Sequence, residues 1–173
     1  MTLRRFLVVA PALCLPLAAP TCEQDPVATE AQTYHDEMVP LLVRNADLAR
    51  DFRDLAADIK RDKTSAKDVA RLMDTEVIPA AQALARDAAA VRPATLSFQQ
   101  PHERLVSAWT DRLTAYQDIK AAWKTRDLDA YDRAAAANLE AHKRESHYYD
   151  EINVLLAPHQ LSLEPYPASA PSP

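Results

Sequence analysis

Residues 29–60 read TEAQTYHDEMVPLLVRNADLARDFRDLAADIK, and their periodicity decides the fold. Apolar side chains recur at alternating spacings of four and three: Tyr34, Met38, Leu41, Leu48, Phe52, Leu55 and Ile59, with Asn45 the polar exception on the stripe. A heptad stripe of this kind marks a helix of about 30 residues that buries a single face. Thr29 and Gln32 stand ahead of it as a capping box, each side chain placed to satisfy the other's free backbone N–H. Pro40 removes a backbone donor inside the helix and predicts a kink near Asp36.

Three further helices follow. Ser65 with Asp68 caps the second, whose stripe is Ala66, Ala70, Met73, Val77, Ala80, Leu84, Ala88 and Val91. Pro79 predicts a kink there, and Arg92-Pro93 ends it. The third opens at Ser97 or Pro101 and carries His102, Leu105, Trp109, Leu113, Tyr116 and Trp123. After a short break, Asp127 caps the fourth, which presents Leu128, Tyr131, Ala135, Asn138, His142, Glu145, Tyr149, Ile152 and Leu156 and runs to Ala157. Short connections between long helices make neighbours antiparallel. The expected fold is therefore all-α, an antiparallel up-down four-helix bundle with proline-kinked first and second helices. Residues 29–157 form this domain, 23–28 a tether, and 158–173, with five prolines in 16 residues, a disordered Pro-rich tail.

Residues 1–22 read as an export signal. Arg4 and Arg5 form a positive start, and the 14 residues from Phe6 to Ala19 form an apolar run. That run suits a signal peptide and falls short of the roughly 20 residues a spanning helix needs. Cys22 is the lipidation candidate, although Pro20 and Thr21 occupy the places of the usual small pair. An ordinary peptidase cut after Thr21, with Ala19 at the −3 position, is the alternative. Either way the expected location is extracytoplasmic: periplasm or outer envelope, lipid-anchored or secreted.

Composition excludes several classes. The chain has no glycine, so phosphate-cradling loops and hairpin-rich folds are not expected. Losing residues 1–21 removes two of the 20 basic side chains and none of the 25 acidic ones, which leaves a net charge of −7. Such a chain is poorly suited to nucleic acid, and its membrane contact is expected only through an anchor at Cys22. The chain has two cysteines, and one of them, Cys14, lies inside the signal, so no internal disulfide is expected.

Glu37-Met38-Val39-Pro40-Leu41-Leu42 is echoed by Glu76-Val77-Ile78-Pro79-Ala80-Ala81, and the third helix opens Pro101-His102-Glu103-Arg104-Leu105. With the turn Arg126-Asp127-Leu128-Asp129, this arrangement over residues 30–157 resembles the helical domains of uncharacterised bacterial envelope lipoproteins. The resemblance implies a fold and a location, and no catalytic residues. The turn departs from the family pattern in having arginine where a glycine is expected before Asp127.

One polar constellation stands out. Asn138, His142 and Glu145 are consecutive stripe positions on the fourth helix, and an antiparallel hairpin sets Tyr116, Arg112 and Trp109 beside them. These six residues define a candidate pocket for a small polar or aromatic ligand. The competing account is a buried hydrogen-bonded layer that fixes register. A third places the fourth helix rotated, with Leu139 inward. The seven-residue spacing of His102, Trp109, Tyr116 and Trp123 reads as core rather than as a cofactor box.

Catalytic and metal chemistry lack their spacings. No glutamate has a histidine three residues later, as di-iron bundles require, and no Cys-x-x-Cys-His exists for haem. His142 and His147 are five apart and diverge on a helix, while no serine or cysteine sits in a nucleophile elbow. The expectation is a protein without catalytic residues, metal or cofactor that binds a protein partner or small ligand. The alternative is a periplasmic stress, chaperone-like or metal-handling protein.

Overall fold

Asp25 opens the first helix. Its carboxylate accepts the Val27 N–H at 3.0 Å, and Pro26 follows at a position whose N–H has no helical partner to lose. The computed structural model of the chain describes residues 25–61 and 63–165. The signal segment, Cys22 and the end of the expected tail lie outside those residues. Helix α1 spans Pro26–Lys60, so the expected tether is shorter by residues 26–28. Thr29 and Gln32 do not form the expected capping box. Thr29 Oγ1 donates to Asp25 O at 3.3 Å, and Gln32 Nε2 to Asp36 Oδ1 at 2.9 Å. Pro40 lies within α1 without ending it.

The second rod has three parts: α2 (Ala66–Leu72), a π-helical turn (Met73–Val77) and α3 (Ile78–Ala90). Ser65 caps α2 as expected, its hydroxyl accepting the Asp68 N–H at 3.2 Å. The π turn has two visible causes. Pro79 supplies no N–H to the turn before it. In addition, the buried residues Val69, Met73, Val77 and Ala81 are spaced four apart. In a regular α-helix each such step drifts about 40° past a full turn. One wider turn returns these side chains to a common face. Ala66 and Ala80, expected on the stripe, are exposed instead.

Helix α4 runs Leu96–Thr125 and α5 runs Leu128–Leu156. The residues leading into α4 are fixed from outside: Glu30 on α1 accepts the N–H groups of Ala94 and Thr95 at 2.6 and 2.8 Å. Asp127 caps α5 as expected, accepting the Ala130 N–H at 2.9 Å. The pairs Arg104–Glu151, Asp111–Arg144 and Trp123–Tyr131 ascend α4 while descending α5, so these two rods run antiparallel. Buried Ala108, Ala115, Ala122, Ala134 and Ala141 are the small side chains that permit their close approach. The four rods form a bundle around Met38, Leu42, Met73, Leu84, Leu105, Trp109, Tyr116, Ile152 and Leu156, all buried. Removal of this apolar surface from water is the main force holding the rods together.

The chain does not leave the bundle at Pro158. After a 3₁₀ turn (Ala157–His159), residues 161–165 turn back and bury Leu163, which is 1% exposed. Asn153 fixes this strap with two bonds of 2.8 Å. Its Nδ2 donates to Leu163 O, and its Oδ1 accepts the Leu163 N–H. Residues 158–165, expected as part of a disordered tail, are therefore held on the bundle.

A candidate ligand cleft between α1 and α5

The α5 stripe holds in its second half, where Glu145, Tyr149, Ile152 and Leu156 are buried as expected, with Tyr148 beside them. In the first half it shifts by one residue: Ala134 and Ala141 are buried, Tyr131, Ala135 and Asn138 are half-buried, and Leu128 and His142 are exposed. Leu139 is 54% exposed, so it does not turn inward. The result is one fully buried carboxylate with a histidine one turn away at the surface.

Glu145 joins a closed polar ring drawn from three rods. Arg112 Nη1 on α4 donates to Glu145 Oε2 at 3.0 Å, and Arg112 Nη2 donates to Asn45 Oδ1 on α1. Asn45 Nδ2 in turn donates to Glu145 Oε1. Asn45, Arg112 and Glu145 are 6%, 4% and 3% exposed. The Arg112 guanidinium also lies 5.9 Å from the centre of the Trp109 ring, a cation–π contact. His142 Nδ1 lies 3.4 Å from Glu145 Oε2 and connects the ring to solvent.

Electrostatics follow from this geometry. Burial pushes the Glu145 carboxyl up, but the His142 hydrogen bond and the Arg112 and His142 charges outweigh it and hold the pKa below the usual value. The Trp109 indole N–H approaches the carboxylate without completing a hydrogen bond. The Glu145 hydrogen bond raises the His142 pKa.

The ring floors a cleft of about 560 Å³ between α1 and α5. Ala46 and Ala49 form its apolar wall, Arg53 and His142 stand at its polar side, and Leu163 with Glu164 and Pro165 of the strap bounds one end. Of the six residues expected to line a pocket, His142 and Glu145 do so. Arg112 supports Glu145 from behind, Trp109 lies under Arg112, and Tyr116 packs on Phe52 with ring centres 4.5 Å apart. Asn138 is half-buried, and its Oδ1 has no hydrogen-bond partner among the described residues. Asn45, read only as a polar position on the first stripe, is the residue that carries the network to α1.

Glu145 presents a fixed negative charge, and His142 a titratable donor. Ser146 also lines the cleft, but its hydroxyl donates to the His142 backbone carbonyl at 3.3 Å, so no imidazole receives its proton. A Ser–His–Glu relay is not assembled. Among the described residues no three His, Cys, Asp or Glu side chains converge as a metal site requires, and no helix is long and apolar enough to cross a membrane.

A second buried network ties all four rods together. His102 Nε2 lies 3.1 Å from Ala88 O, and a carbonyl only accepts, so Nε2 carries the proton. His102 Nδ1 therefore accepts the Tyr34 hydroxyl at 3.1 Å, and Tyr34 accepts the Tyr148 hydroxyl at 3.0 Å. Burial lowers the His102 pKa and raises those of both tyrosines, so every member stays neutral near pH 7. Each bond closes within the network, which marks this layer as structural.

Comparison of the chain with protein-family models, curated proteins and solved structures returned no match.

Proposed function

We propose that the chain is an exported, non-catalytic binding protein of the bacterial cell envelope, anchored through Cys22, and that the α1–α5 cleft takes a small polar ligand. The observation that carries the binding assignment is the placement of Glu145. Burying a carboxylate is costly even when it is paired, and a purely apolar layer would hold the rods at least as well. Here the charge is retained where a cleft meets it, with His142 at the mouth and the strap at one end. A ligand with a hydrogen-bond donor suits Glu145, and one with an acceptor suits His142 and Arg53. Export rests on the Arg4-Arg5 start and the apolar run up to Ala19.

Two measurements test this. The intact mass of the chain recovered from an exporting bacterial host should show an N-terminus at Cys22 with a diacylglyceryl addition, in the envelope fraction. Recovery of unprocessed chain in the cytoplasm refutes export. A thermal-shift screen of small polar metabolites should give compounds that raise the melting temperature of the native chain and lose that effect in Ala49→Phe, which fills the cleft. Stabilisation that survives Ala49→Phe removes the cleft from the account.

A further inference from the structure

The opposite end of the bundle holds a second cleft, of about 590 Å³, where α1 and α4 end and α2 and α5 begin. Its walls are apolar and aromatic. Trp123 and Tyr131 meet edge to face with ring centres 6.1 Å apart, Ile59 lies beside them, and Leu128 leaves 77% of its surface exposed. Two polar features break this surface. The Trp123 indole nitrogen is out of solvent yet has no hydrogen-bond partner among the described residues. Lys60 and Arg126 line the same cleft, are exposed, and form no ion pair among the described residues.

Arg126 is the informative one. It caps α4 with φ of 58°, in the left-handed region where a side chain crowds the backbone and glycine is the usual residue. The chain accepts that strain and thereby keeps a guanidinium at the cleft. Asp127, the acidic residue of the lining, is engaged in capping α5, so the free charge here is positive.

We propose that this end cleft binds an amphipathic monoanion. Its apolar body packs on Trp123, Tyr131 and Ile59, and its carboxylate meets Lys60 and Arg126. The body of the ligand covers the Trp123 ring, so the indole N–H signal reports occupancy of the cleft. One charged head on an apolar body fits two cations beside an aromatic wall. A polyanion does not fit a chain with a net charge of −5. The assignment uses none of the residues of the α1–α5 cleft and stands apart from it.

Decanoate and decan-1-ol are the probes, titrated into the native chain with the two tryptophan indole N–H signals followed by NMR and assigned with Trp123→Phe. Decanoate should shift the Trp123 signal and leave Trp109 in place, and decan-1-ol should bind at least fivefold more weakly. Arg126→Gly relieves the left-handed strain, so its fold is not at risk. Combined with Lys60→Ala it should weaken decanoate at least fivefold and abolish the preference for acid over alcohol. Ala49→Phe should leave decanoate binding unchanged, which separates this site from the other cleft. An unmoved Trp123 signal, equal binding of acid and alcohol, or full binding by Lys60→Ala/Arg126→Gly overturns the proposal.

Discussion

Replacing Arg112 with methionine tests the polar ring most severely. The substitution keeps the length and apolar packing of the side chain and removes three interactions at once: the 3.0 Å bond to Glu145, the bond to Asn45 and the contact with Trp109. What remains is a carboxylate only 3% exposed, with His142 at the cleft mouth as its one ion-pair partner among the described residues. Removing one partner of a buried ion pair costs about 3–5 kcal/mol, because the other charge stays buried and unpaired. For a domain of this size that is roughly 10–15 °C of melting temperature. Urea unfolding followed by far-UV circular dichroism reads the loss directly, with the slope checked for a change in cooperativity. In the wild type the depressed Glu145 pKa contributes stability above the ordinary carboxylate pKa of 4.5, lost as pH falls through the folded value. In Arg112→Met the sign reverses. The Glu145 pKa rises, so the defect is largest near neutral pH and shrinks in acid, where the carboxyl is buried neutral. The triple variant Asn45→Leu, Arg112→Met, Glu145→Leu should recover most of the loss. A cost below about 1 kcal/mol for the single variant, or a triple variant no better than the single, refutes the account of the ring as a closed unit.

Three other outcomes follow from named contacts. The lowered His102 pKa means that stability from this group is complete above the unfolded value of 6.5 and declines as pH falls below it, and His102→Asn should remove that slope from a pH series of unfolding midpoints. Arg126→Gly should stabilise the chain by about 1 kcal/mol in the same assay, through release of left-handed strain. Leu163→Ala should cost about 2 kcal/mol, the low end for a buried leucine, because the strap can fray instead of leaving a cavity; hydrogen exchange should rise first at the Leu163 amide.

The rods were legible because a heptad stripe reports directly which face of a helix is buried. Tyr34, Met38, Leu41 and Leu48 are on the core as their spacing implies. The same stripe is silent on rotation and axial offset. Arg112 was expected beside His142, and it bonds Glu145 one turn further along. Asn45 was visible as a polar interruption, but a hairpin argument relates α4 only to α5, and the link from α1 runs through packing that no local pattern encodes. Tyr34, His102 and Tyr148 share this limit: the first two read as bulky stripe positions, and each has a polar tip that needs a partner when buried. The π turn had a signal in the four-residue spacing of Val69, Met73, Val77 and Ala81, which a heptad reading rounds away. The strap had none. Its proline-rich composition argued for disorder, and the Asn153 bonds that hold Leu163 reach across ten residues.

The most direct test of the binding account is native mass spectrometry of the chain purified from an exporting host, compared with its denatured mass and with the Ala49→Phe and Lys60→Ala/Arg126→Gly variants. The cleft account predicts added mass on the native wild type that is lost on denaturation and missing from Ala49→Phe. A wild-type chain that flies bare, or added mass that survives both Ala49→Phe and Lys60→Ala/Arg126→Gly, contradicts it and leaves the Asn45–Arg112–Glu145 ring as a structural layer alone.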